Sequence, residues 1–275
     1  MPVFLHNLGL DFMAEKGRLL DSYMVPLFDS GRDRICREGR YRTALLPSGV
    51  EFIFHLVEDG GDVRVVGVDT HVGGPCVWYG TPFLLLDAGS DPLAMRLACT
   101  NEAKSAVFVA NIMNAGVLPA IDESTRLELQ VAGFPAALEV YRSRADYEGA
   151  MTEAARAAGG GTPVIISDGQ PLPYNFIIKN NPEASDADRE RAGRDDLLLL
   201  CGPVLAVEER SHGISGHEDA SMVVATIATA FGHLDVVFVP DMLAGNSCAK
   251  GDYLVTECVL SADVALGRFD RWEDR

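Results

Sequence analysis

Hydrophobic and polar positions alternate with a period of two over much of this chain. The pattern is plainest from Val50, where Val50, Phe52, Phe54 and Leu56 interleave with Glu51, Ile53, His55 and Val57. Alternation of this kind sends successive side chains to opposite faces of a strand. Glu58-Asp59-Gly60-Gly61-Asp62 then supplies a turn and Val63 to Val68 a partner strand, so the spacing predicts a hairpin. Further β-rich runs at Phe83–Leu86, Leu93–Cys99, Ala106–Ala110, Leu127–Val131 and Leu138–Tyr141 are separated by Gly, Pro, Asn and Asp. Regular short runs predict a meander, sandwich or barrel, not a βαβ array.

Helical spacing is confined to a few stretches. Leu10, Met13, Leu19, Leu20 and Met24 recur near the helical period, with Asp11 as a cap and Pro26 as the stop, and predict an opening helix. The mixed-charge run from Ser30 to Arg42 reads as an exposed connection. Arg144 to Ala158 is rich in alanine and ends at Gly159-Gly160-Gly161, which predicts a second helix and a joint. Short strands at Val164–Ile166 and Tyr174–Ile178 flank a Ser167-Asp168-Gly169 turn, and Glu183 to Arg194 reads as a solvated segment.

The C-terminal quarter holds four runs of strand length: Leu197–Val207, Met222–Ile227, Leu234–Val239 and Tyr253–Leu260. A long opening strand with Gly202 near its middle resembles a small Greek-key barrel of the oligonucleotide/oligosaccharide-binding type. The fold class expected is therefore mainly β, with α+β as the alternative. It divides into an N-terminal helix and antiparallel β domain over residues 1–145, a helical and flexible connector over 146–196, and a small OB-like β-barrel over 197–275.

Composition changes this picture little, because 48% hydrophobic residues with 23% charged is enough apolar surface for a packed core. The chain has no apolar run of membrane-spanning length, and its start has no basic segment leading into a long apolar one. A cytoplasmic protein with no membrane span is expected. The six cysteines (Cys36, Cys76, Cys99, Cys201, Cys248 and Cys258) form no CxxC pair and read as reduced thiols. Charge changes the picture more. A formal net charge of −17, spread over everything except residues 1–40, repels phosphate backbones and disfavours nucleic acid; it reads first as solubility, with a basic protein partner as the sharper reading, for which the charge is necessary but not sufficient.

Three strings carry candidate chemistry. Asp69, His71 and Cys76 end a strand at Gly73-Gly74-Pro75, where a thiol beside an imidazole would serve nucleophilic catalysis and Asp with His could begin a metal site; a tight turn with a packed cysteine needs the same residues. His212 and His217 share a glycine-flanked loop with Glu218 and Asp219 and are candidate metal ligands, although their five-residue separation fits a hairpin tip better than one helical face. Val239 to Lys250 is similar to the Pro-Asp-x-x-Ala-Gly-Asn-x-x-x-Lys string of phosphate acetyl- and butyryltransferases. That resemblance implies a site for acyl phosphate and coenzyme A lined by Asp241, Gly245, Asn246 and Lys250. It also implies a long α/β framework, which the strand-rich sequence upstream does not supply; a loop between two strands, with Asp241 and Asn246 turning and Gly251 closing, explains the same residues with fewer assumptions.

Trp78 and Tyr79, beside the glycine loop, read first as core packing, with a contact surface as the other candidate role. Phosphate-binding, dinucleotide, HExxH and GxSxG signatures are missing, and no cofactor is identified. The leading expectation is a noncatalytic binding or interaction protein with an acidic surface, its oligomeric state open. The alternative is an enzyme using the Asp69-His71-Cys76 loop or the Asp241–Lys250 string.

Overall fold

The computed structural model describes residues 4–265 apart from 37–38, 87–92, 102, 119–120, 122–124, 158, 160–162, 164, 176–185, 187–188 and 190–192. Strands make up 53% of the structure, so the fold is mainly β. The opening segment departs from the expected single helix. A 3-10 turn over Asp11–Met13 leads into a two-residue hairpin of β1 (Ala14–Glu15) and β2 (Arg18–Leu19), and helix α1 follows over Asp21–Ser30. The cause is local: Lys16 (φ 49°) and Gly17 (φ 76°) both take the left-handed conformation of a two-residue hairpin turn. Asp11 bonds His6 Nδ1 at 3.0 Å instead of capping a helix, and Pro26 lies inside α1 instead of ending it.

The charged run from Ser30 to Arg42 is not a loop. It supplies β3 (Arg32–Cys36) and the first part of β4 (Gly39–Leu45), whose facing side chains pair Arg42 Nε with Asp33 at 2.5 Å and Arg40 with the same carboxylate at 3.3 Å. Opposite charges across the ladder add to the modest apolar side that Tyr41, Ala44 and Cys36 turn to the core. The hairpin expected next is present as β5 (Val50–Asp59) and β6 (Asp62–Val72), turning at Gly60 and Gly61. These four strands form one sheet in the order β3-β4-β5-β6.

The remaining strands form a second sheet: β7 (Val77–Leu86), β8 (Met95–Thr100), β9 (Val107–Ile112), β10 (Leu127–Tyr141), β11 (Leu172–Pro173), β12 (Leu197–Ser211), β13 (Ser221–Thr229), β14 (Gly232–Phe238) and β15 (Tyr253–Val264). Its nine strands run in the order β11-β12-β13-β14-β10-β15-β9-β8-β7. It is mixed, not purely antiparallel, because β10 pairs with β14 and β15 with β9 in parallel. The extra pairings β12–β15 and β10–β7 close rings of hydrogen bonds, yet the sheet is not a barrel and no OB fold is shown. The four C-terminal strands share this sheet with β7 to β10.

Helix α2 (Arg144–Ala157) packs Tyr147 against Cys201 and Tyr253 on β12 and β15. The expected strand at Val164–Ile166 is not formed at its described residues. Most of the Tyr174–Ile178 and Glu183–Arg194 segments lies outside the described residues. No helix among the described residues is long and apolar enough to cross a membrane.

Both faces of the nine-stranded sheet contribute to buried cores over much of their extent, which is why many of its strands read as near-continuous apolar runs. One face packs Trp78, Phe108, Leu129, Val131, Leu200 and Val236 together. The other sends Ala132, Phe134, Val224 and Val237 against Phe52, Phe54 and Leu56 of the four-stranded sheet and Leu8, Leu10 and Met13 of the opening segment. Neighbours such as Val236 and Val237 therefore feed different cores, as the strand alternation requires.

Candidate functional site

The sequence motif at the end of β6 lies between the two sheets, and its members take different partners. Asp69 is buried and faces His55, whose Nε2 is 3.3 Å from Asp69 Oδ2, with the ring of Tyr41 edge-on to that imidazole at 5.1 Å. His71, two residues on, bridges the sheets: its Nδ1 is 2.6 Å from Ser261 Oγ on β15, and its Nε2 bonds Gln130 Oε1 on β10. An amide oxygen only accepts, so Nε2 carries the proton and Nδ1 accepts from the Ser261 hydroxyl. Burial lowers the His71 pKa to about 4, which leaves the ring neutral.

Cys76 follows the Gly73-Gly74-Pro75 turn and faces Asp235 of β14. Burial, and then the Asp235 carboxylate, push its thiol up to about 12. Asp235 is itself buried and accepts from Thr226 Oγ1 at 2.6 Å. A Cβ on Gly74 would stand 2.4 Å from Asp235 Oδ2, so the missing side chain of this glycine is what lets the turn lie on the carboxylate. Among the described residues, no hydrogen bond joins His71 to Cys76 or to Asp69; the three motif residues close three separate contacts.

A carboxylate sits near the His71 bridge without having been read from the sequence. Asp263, opposite Gln130 in the β10–β15 ladder, has its pKa raised to about 6 by burial and by Glu51, while Arg34 opposes the rise. Glu51 is opposite His71 in the β5–β6 ladder and lies 3.9 Å from Arg34. Gln130, Ser261, Asp235 and Asp263 share one signal, a polar residue inside an apolar strand run, which marks a buried polar contact but not its partner.

The histidine loop also divides. His212 is fully buried, donating from Nε2 to the Leu8 carbonyl at 2.5 Å and accepting at Nδ1 from Ser48 at 2.8 Å. His217 lies flat on Phe12, ring centroids 3.7 Å apart, and its Nε2 is 3.0 Å from the Tyr23 hydroxyl. Among the described residues, no group of three or more His, Cys, Asp or Glu side chains is placed to hold a metal ion.

The Val239–Lys250 string forms an exposed turn. A 3-10 turn over Pro240–Leu243 ends in left-handed Ala244 (φ 49°) and Gly245 (φ 86°), and Leu243 is buried in the core. Asp241, Asn246 and Lys250 are all exposed on it.

Trp78 and Tyr79 take opposite faces of β7. Trp78 is fully buried, donates from Nε1 to the His233 carbonyl at 2.8 Å, and packs on Phe108 and Phe231. Tyr79 is 44% exposed, with the Arg126 guanidinium over its ring at 4.8 Å. Further along the same strand Phe83, Leu84 and Leu85 are 45%, 50% and 65% exposed, three large apolar residues in succession. Phe83 is the extra residue of a bulge, since the register with β8 shifts between Pro82 and Leu84. Only Tyr79 of this group was singled out by sequence; an unbroken Phe-Leu-Leu-Leu run reads equally well as a buried strand.

No protein-family model, curated protein or solved structure matches this chain.

Proposed function

We propose that this is a noncatalytic binding protein that engages a basic protein partner through the apolar stretch of β7. The observation that carries the reading is the run of Phe83, Leu84 and Leu85 in solvent beside exposed Tyr79, on a strand whose inward residue Trp78 is rigidly packed. Aromatic and aliphatic side chains held on a fixed scaffold are what an interface core is made of. The net charge of −17 adds long-range attraction for a cationic partner and repels nucleic acid.

The environments of the other candidates favour binding over catalysis. A thiol pushed up to about 12 stays protonated at neutral pH, and a thiolate is what nucleophilic attack requires. His71 already uses both ring nitrogens. Asp241, Asn246 and Lys250 stand exposed on a turn anchored by Leu243, where an acyl-phosphate or coenzyme A site would need to exclude water.

The test is co-purification from the protein's own host, comparing the natural chain with a Phe83→Ser, Leu85→Ser double variant by quantitative mass spectrometry. Basic proteins recovered with the natural chain are expected to fall at least tenfold with the variant, whose circular dichroism stays unchanged. Equal recovery with both would sink the proposal.

A further inference from the structure

The edges of the two sheets are not protected alike. β3, at one edge of the four-stranded sheet, carries Arg32, Asp33 and Arg34, and β6, at the other, carries Asp62, Arg64 and Asp69. β11, at one end of the nine-stranded sheet, is two residues long and ends in Pro173. Charge, brevity and proline are the usual devices that stop a strand edge from recruiting another strand.

β7 is guarded by a proline and a bulge but lacks charge. Its pairing with β10 stops at Gly80, opposite Leu127, whereas its pairing with β8 continues to Leu86. Beyond Gly80, among the described residues, no strand covers the side of β7 away from β8. That uncovered stretch, Thr81 to Leu86, contains no charged residue. Pro82 has no N–H to offer and the bulge follows it, so the backbone groups open to a partner are those of alternate residues between Phe83 and Leu86, the others being turned to β8. The exposed side chains of Phe83, Leu84 and Leu85 flank those groups.

We infer that the partner binds by strand addition: an extended segment of a basic protein, with apolar residues alternating with lysine or arginine, pairs with the Phe83–Leu86 edge of β7. Backbone pairing supplies the register and the leucines the apolar contact. Cationic side chains suit the occupant because the chain carries −17 overall. A second copy of this chain would bring an equal negative charge to the contact, which disfavours it as the occupant. The inference rests on reading β7 as the contact strand.

The experiment uses the full chain and a fluorescein-labelled decapeptide of alternating lysine and valine, with binding followed by fluorescence anisotropy. Two further peptides carry N-methyl groups on every second residue, one set on each edge, so that one edge at a time loses its N–H donors while the protein is untouched. Binding is expected for the parent peptide, at least tenfold weaker for one N-methylated set, roughly tenfold weaker between 50 and 300 mM salt, and absent for a glutamate-valine peptide. Binding insensitive to either N-methyl set overturns strand addition but leaves β7 as a contact surface. Absence of peptide binding, while host proteins still depend on Phe83 and Leu85 for recovery, overturns the cationic strand alone. A dimer in sedimentation that Leu85→Ser dissolves makes a second copy the occupant and also overturns it. Loss of both peptide binding and patch-dependent recovery removes the underlying reading as well.

Discussion

Buried His71 and partly buried Asp263, near the sheet junction, titrate in opposite senses over one pH window, and their opposition hides each from a simple acid titration. His71 has a folded pKa of about 4 against 6.5 for the free group. Between those values the unfolded chain holds a proton that the native ring refuses, so stability is full above pH 6.5 and is lost as pH falls toward 4. Asp263 has a folded pKa of about 6 against 3.8. Between those values the native state holds the proton and the unfolded chain has released it, so this contribution is full below pH 3.8 and is lost as pH rises through 6. Each shift corresponds to about 3 kcal/mol, with opposite sign. Asp263→Asn is therefore expected to unmask the histidine: urea midpoints should show stability dropping by roughly 2–3 kcal/mol more than in the natural chain between pH 7 and pH 4. His71→Gln should unmask the aspartate, making the protein relatively more stable in acid. An Asp263→Asn curve that runs parallel to the natural one would contradict the assignment.

At the scale of elements, glycine decides where strands can touch and where a helix is weaker than it need be. A Cβ on Gly202 of β12 would stand 2.3 Å from the Ala228 carbonyl oxygen of β13, and a backbone atom inside a ladder has nowhere to move. Gly202→Ala is expected to cost roughly 2–3 kcal/mol in urea unfolding. Gly149, exposed in α2, has nothing within 4 Å of its Cβ position, and Gly149→Ala is expected to stabilise the protein by about 0.5–1 kcal/mol. If the two substitutions gave equal effects, close strand approach would not be what Gly202 provides. The same elements show what a sequence can reveal. The β5–β6 hairpin was legible because alternation and a Gly60-Gly61 turn agree, and α2 because its helix formers end at Gly159. β3 and β4 were hidden because Asp33, Arg40 and Arg42 pair across the ladder, and cross-strand partners leave no periodic mark within one strand. The junction was legible only by half: Asp69, His71 and Cys76 attract notice by residue type, but Ser261 lies 190 residues from the histidine it meets, and nothing in local pattern connects them.

For the whole molecule, the consequential pairing is β10 with β15, running from Leu129 opposite Val264 to Tyr141 opposite Tyr253. It belongs to two closed circuits: one continues through β12, β13 and β14, the other through β9, β8 and β7. Trp78 stands where they meet, stacked on Phe231 from the β13–β14 turn and edge-on to Phe108 of β9. A break in either circuit uncovers β10 or β15 and strips one side of Trp78, so the two circuits should stabilise each other and unfold together. In a Trp272→Phe background, which leaves Trp78 as the sole tryptophan, urea unfolding followed by fluorescence and by far-ultraviolet circular dichroism is expected to give one coincident transition. A fragment of residues 197–275 keeps β12 to β15 but lacks β10, leaving β14 and the far side of β15 as open apolar edges, and it is expected to aggregate or remain unfolded. Two separated transitions, or a soluble folded fragment with protected amides in β14, would show that the C-terminal strands hold together without the pairing on which this topology turns.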